Sequence, residues 1–73
     1  MADVEVLSEI TGSVWKIEVQ VGSEVTEEDP VAVLETMKME IPVLAPQPGT
    51  VKELRVEHGQ SVAEGDVLMV LAT

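Results

Sequence analysis

An all-β domain assembled from two similar halves, a pseudo-two-fold β-sandwich or flattened barrel, is the fold class that this sequence predicts. Three observations lead to it. Fourteen of the 73 residues are valine and only one is aromatic, a β-branched composition that suits pleated strands better than helices. Residues 4–36 lie on residues 41–73 without a gap when shifted by 37 positions. The apolar residues of each half alternate with polar ones at a period of two, which no helical stripe matches as well.

The repeat organises everything else. Val6-Leu7 meets Val43-Leu44, Gly12 meets Gly49, Val14 meets Val51, and Val19 meets Val56. Gly22 meets Gly59, Val25 meets Val62, Glu27 meets Glu64, and Asp29 meets Asp66. Val33-Leu34 falls on Val70-Leu71 and Thr36 on Thr73, so twelve of 33 aligned positions are identical. Val4 with Ile41, Ile17 with Leu54 and Val31 with Leu68 are apolar for apolar. The two halves are joined by the turn 37–40, Met37-Lys38-Met39-Glu40.

Each half reads as the same string of about four short strands. Val4-Glu5-Val6-Leu7 is extended. From Gly12 a strand follows in which Trp15, Ile17, Val19 and Val21 are expected on one face and Lys16, Glu18 and Gln20 on the other. The second copy places Leu54 and Val56 inward against Glu53, Arg55 and Glu57. Gly22 and Gly59 come next, where tolerance of positive φ eases a sharp turn. Glu27-Glu28-Asp29-Pro30 and Ala63-Glu64-Gly65-Asp66 form the following turns. Val31-Ala32-Val33-Leu34 and Val67-Leu68-Met69-Val70-Leu71 are nearly continuous apolar runs, as expected of buried strands. Pro42, Pro46 and Pro48 assign the opening of the second half to a sheet edge or a crossover, since proline cannot donate to a central ladder. The package is one domain, residues 1–73, and Met1 and the absence of a linker predict a complete small protein.

Charge and composition exclude several functions. Fourteen acids against four bases give a net charge of −10, so the basic footprint of nucleic-acid binding is missing and anionic membranes are disfavoured. The N-terminus has no signal-peptide pattern, and no stretch approaches the roughly 20 apolar residues of a membrane span. A cysteine-free chain suits a reducing compartment, and the expected location is the cytoplasm. His58 stands alone without metal-ligand spacing, and Glu27-Glu28-Asp29 lacks the spacing of a calcium loop. No acid–base or nucleophile constellation is present, so a stand-alone enzyme is not expected. Trp15 is expected to be packed, although its partner in the repeat, Lys52, points to a site only half-buried, and docking of a partner is a second role for it.

One stretch breaks the local rules. Tight hairpins favour Asn-Gly, Asp-Gly or Gly-X because primed turns need positive φ. The midpoint of this chain offers Met37-Lys38, with no glycine or asparagine from Val31 to Ala45. A rule broken at one spot in an otherwise consistent sequence points to a functional site. Lys38, alone among the lysines, has a methionine on each side, and flexible thioethers suit contact with more than one partner.

Glu35-Thr36-Met37-Lys38-Met39-Glu40 resembles the attachment motif of biotin carboxyl carrier domains, Glu-Ala/Ser-Met-Lys-Met. The likeness covers nearly the whole chain, including the duplicated Gly-x-Val…Gly…Val…Asp pattern, and is similar to small free-standing biotin/lipoyl attachment proteins and acyl-CoA carboxylase carriers. It implies a flattened barrel/sandwich hybrid of two four-stranded antiparallel sheets. It also implies covalent biotin on Lys38, with Glu35, Met37, Met39 and Glu40 as recognition elements for ligase and partners. The implied partners are a biotin protein ligase, a biotin carboxylase subunit and a carboxyltransferase subunit, as in acetyl-CoA and other acyl-CoA carboxylases of fatty acid biosynthesis. Thr36 departs from the usual alanine or serine, and Glu9-Ile10-Thr11-Gly12 lacks a proline common before that glycine. The gapless repeat leaves no room for the protruding thumb loop of some bacterial acetyl-CoA carboxylase carriers.

A lysine amine is nucleophilic only when deprotonated, and the ordinary lysine pKa is about 10.4. Attachment therefore requires a ligase that desolvates or deprotonates Lys38 and presents an activated acyl group. The chain itself is expected to catalyse nothing. The alternative is a lipoyl carrier of a 2-oxo acid dehydrogenase or glycine-cleavage system, whose similar domains carry Asp-Lys-Ala at the tip; Met37 and Met39 favour biotin over lipoate. An unmodified binding module is the third reading, and it predicts that Lys38→Arg leaves function intact.

Overall fold

The duplication seen in the sequence is carried through to the ladder. A computed structural model describes residues 3–73; Met1 and Ala2, on which the reading of the N-terminus rests, lie outside the described residues. Eight strands follow in order: β1 (Asp3–Leu7), β2 (Gly12–Ile17), β3 (Glu24–Val25), β4 (Pro30–Thr36), β5 (Met39–Leu44), β6 (Gly49–Leu54), β7 (Ser61–Val62) and β8 (Val67–Ala72). They form two four-stranded antiparallel sheets, ordered β1-β8-β6-β3 and β5-β4-β2-β7. Replacing each strand by its repeat mate turns one order into the other, so the pseudo-two-fold axis exchanges the sheets. The sheets pack face to face without closing into a barrel.

The central strands are those with unbroken apolar runs. In β4, Val31, Ala32 and Leu34 are buried, and in β8, Leu68, Met69, Val70 and Leu71 are buried. Both faces of such a strand are covered, so alternation is lost there. Pro42 lies in β5, an edge strand, and Pro46 and Pro48 lie in the link to β6, where the missing N–H costs no ladder bond.

Ile17 and Val19 pack against the core as expected, but Trp15 and Val21, the other two residues expected on that face, do not. Val14 is buried, whereas Trp15 is 42% and Val21 60% exposed. The β2–β4 register shifts between Val14 and Lys16, a β-bulge that leaves Trp15 unpaired and turns it outward. The strand then stops at Ile17, so Val21 falls in the following turn. The same shift occurs between Val51 and Glu53 in β6, opposite β8. The inward assignment of Leu54 and Val56 holds, with Val56 buried and Leu54 partly so.

Turns repeat as well. Asp29 Oδ2 accepts from Thr26 N–H and Asp66 Oδ2 from Ala63 N–H, each at 2.8 Å. These carboxylates cap turns, and among the described residues no cluster of three or more metal-ligating side chains occurs. The core falls into two clusters, one around Val6, Val31, Ala32, Met69 and Leu71, the other around Val14, Leu34, Val56, Val62 and Leu68. Ala32 and Met69 are repeat mates within one cluster, so the duplication is not kept in side-chain volume there. Ser8, buried in the place of Ala45, donates its hydroxyl to the Ile10 carbonyl at 2.6 Å, and no buried side-chain polar atom among the described residues lacks a partner.

Candidate functional site

The β4–β5 hairpin is built from the buried end outward. Leu34 faces the core and pairs with Ile41; one rung further Glu35 pairs with Glu40, and the last rung is Thr36 with Met39. The turn proper is therefore two residues, Met37-Lys38, with Met39 and Glu40 already in β5, which narrows the four-residue link expected at 37–40.

Both turn residues have left-handed backbones, φ 41° at Met37 and 74° at Lys38. Positive φ at both central positions is the signature of the type I′ hairpin turn, whose twist matches that of the flanking strands. Neither residue is glycine, so the turn carries a cost of about 1–2 kcal/mol per residue. The ladder beneath it, held by β2 on one side and β5 on the other, over-determines the geometry and keeps it in place.

The outcome is a projecting amine. Lys38 is exposed, and among the described residues no carboxylate pairs with it. Met37 is 92% exposed and Met39 61%, so these methionines are not core residues. Glu35 and Glu40 are also exposed. All five residues singled out in the sequence thus share one tip. Symmetry places the rung of Asp3 and Ala72 in the other sheet where this hairpin has Glu40 and Glu35. A groove between the edge strands β1 and β5, lined by Leu7, Ile10, Ile41 and Val43, does not include the turn residues. His58 is exposed.

The tip therefore presents one exposed amine at the end of the β4–β5 ladder. Residues 4–71 match the family described as "Biotin-requiring enzyme", and the chain belongs to that family of biotin/lipoyl attachment domains.

Relatives agree with this. A biotin/lipoyl attachment protein of Bacillus subtilis is 44% identical over 37 residues, 51% of each chain. The biotinylated protein TB7.3 of Mycobacterium tuberculosis is 49% identical over 41 residues, 56% of this chain and 58% of that protein. The chain thus spans just over half the length of the curated relatives it matches. Among solved structures, the urea carboxylase of Kluyveromyces lactis superposes with a TM-score of 0.92 at 33% identity, covering 99% of this chain and 6% of that one. A single-chain, multi-domain long-chain acyl-CoA carboxylase superposes at 0.88 and 28% identity, over 93% of this chain and 7% of its own.

The residue that sequence reasoning placed least well is Trp15. Its pairing with Lys52 in the repeat was the one signal against a packed site, since a position that takes lysine in one half faces solvent.

Proposed function

We propose that this chain is a biotin carboxyl carrier, with biotin attached to Lys38, serving a biotin-dependent carboxylase of the acyl-CoA class. The observation that carries the reading is the position of Lys38 on an exposed, strained two-residue turn, flanked by two exposed methionines. Resemblance to biotinylated relatives and to regions of two carboxylases supports it.

The residues fit a covalent pendant group. Lys38 Nζ gives up one proton to become nucleophilic and a second as its amide bond to the biotin carboxyl carbon forms, the activating group leaving with the electron pair of the broken acyl bond. A ligase does this work. Met37 and Met39 supply apolar surface to the ligase and afterwards to the carboxylase partners. Once attached, biotin supplies a site that accepts and releases carboxylate. Lys38 then holds that site on a tether between biotin carboxylase and carboxyltransferase, making delivery intramolecular at effective concentrations on the order of millimolar. The cysteine-free composition supports a reducing cytoplasm as the compartment.

A lipoyl carrier is the second reading, favoured by the likeness to the biotin/lipoyl attachment protein. Parallel reactions with a biotin ligase and a lipoate ligase separate them by intact mass. The proposal predicts one biotinyl group in the first reaction and none added in the second; a lipoyl adduct alone would assign the chain to the dehydrogenase side.

A further inference from the structure

We propose that Trp15, together with Glu35 and Glu40, forms the docking face for a basic segment of the ligase that modifies Lys38. This rests on the attachment reading above.

The two halves of the repeat differ at these positions. On the outer face of the first sheet, Lys52 Nζ donates to Asp3 Oδ2 at 2.7 Å, a pair that bridges β6 and β1 across β8. The repeat mates of these residues are Trp15 on β2 and Glu40 on β5, and the mate of Ala72 between them is Glu35 on β4. The tip sheet has therefore exchanged its cation for an indole and added a carboxylate. Among the described residues neither Glu35 nor Glu40 has an ion-pair partner, and the neighbouring cation Lys16 is paired with Glu18 at 3.4 Å.

Trp15 is also the sole aromatic residue in the chain, and it is 42% exposed. A small core gains most by burying its largest apolar side chain, so an outward bulge there sets this residue aside from packing. An exposed indole and two unpaired carboxylates, at the positions that Lys52, Ala72 and Asp3 take in the other sheet, suit a guanidinium or ammonium that stacks on the ring face while pairing with the acids. The partner would supply the cation that Lys52 supplies in the other half. The ligase is the occupant because it must bring its active site to bond-forming distance of Nζ, and so must cover the hairpin and the first rungs behind it. An enzyme acting at the far end of the attached arm need not approach so closely.

The test is steady-state biotinylation of the wild-type chain, Trp15→Lys and Trp15→Phe by a biotin protein ligase with ATP and biotin, with the carrier concentration varied. Trp15→Lys copies the arrangement of the other half and supplies an internal cation for Glu40. It is expected to raise KM for the carrier about tenfold with kcat unchanged. Trp15→Phe, which keeps a ring face, is expected to restore most of the loss. A KM for Trp15→Lys within twofold of wild type, or a loss confined to kcat, would overturn the proposal. A second readout needs no variant: with 5-fluorotryptophan incorporated at Trp15, the fluorine resonance should shift or broaden on adding ligase, and an unchanged signal would overturn it. Failure of the wild-type chain to accept biotin at all would instead remove the attachment reading on which the proposal stands.

Discussion

Glu35 and Glu40 face each other across the β4–β5 ladder, one rung behind the last pair before the turn that presents Lys38. Like charges directly opposite in a sheet oppose pairing, and the sequence could have avoided them with any neutral residue. Replacing Glu40 by glutamine is expected to stabilise the domain by a few tenths of a kcal/mol, read as a higher urea midpoint, while slowing biotinylation by the ligase. Unchanged ligation with the same gain in stability would show that this acid takes no part in recognition.

The turn makes a parallel case. Met37→Asn with Lys38→Gly gives the hairpin the residues its geometry prefers. The double variant is expected to gain on the order of 1–2 kcal/mol, visible as a raised thermal midpoint, and to accept no biotin. A loss of stability would mean that the exposed side chains of Met37 and Lys38 contribute more to the folded state than their exposure allows.

Two glycines guard the rungs beside the tip and beside the chain ends. A Cβ at Gly12 would stand 2.6 Å from the Glu35 carbonyl oxygen, and one at Gly49 would stand 2.8 Å from that of Ala72. Gly12→Ala and Gly49→Ala are each expected to cost about 1–3 kcal/mol in urea denaturation, through forced backbone movement. Only Gly12→Ala displaces the strand that leads to Lys38, so only it should also slow ligation.

Lys52 sets a pH dependence of stability. The hydrogen bond to Asp3, then the charge of Asp3, raise its pKa above the ordinary 10.5. A raised folded pKa favours the folded state fully below the ordinary value, and that contribution is lost as pH rises through the folded value. Thermal midpoints of wild type and Lys52→Met should therefore converge above pH 10.5, with any difference present at neutral pH. The pair is exposed, so the difference at neutral pH is expected to be small.

Much of this was legible in the sequence because duplication doubles every weak signal. Gly12 with Gly49, or Asp29 with Asp66, would each be ambiguous alone; together they set the register, and the strand pairing of the two sheets repeats it rung for rung. Met37-Lys38 stood out because a primed turn without glycine or asparagine is costly, and the positive φ of both residues shows that this cost is borne. The bulge at Trp15 was not legible, since period-two counting assumes an uninterrupted pleat and carries no sign of one extra residue. Nor do the two-residue strands β3 and β7 carry enough residues for a pattern of their own. At Glu28, φ is 70° where the repeat mate Gly65 has 93°, and residue type hid that shared turn geometry.

The most direct test of the central claim is peptide mapping by tandem mass spectrometry after reaction with biotin protein ligase, ATP and biotin. Three lysines compete, Lys16, Lys38 and Lys52, and chemistry alone would not choose among exposed amines. The account predicts a single biotinyl group on the peptide containing Met37-Lys38-Met39, with Lys16 and Lys52 unmodified and no adduct on Lys38→Arg. Biotin on Lys16 or Lys52, or an unmodified Lys38 in the folded wild-type chain, would contradict it.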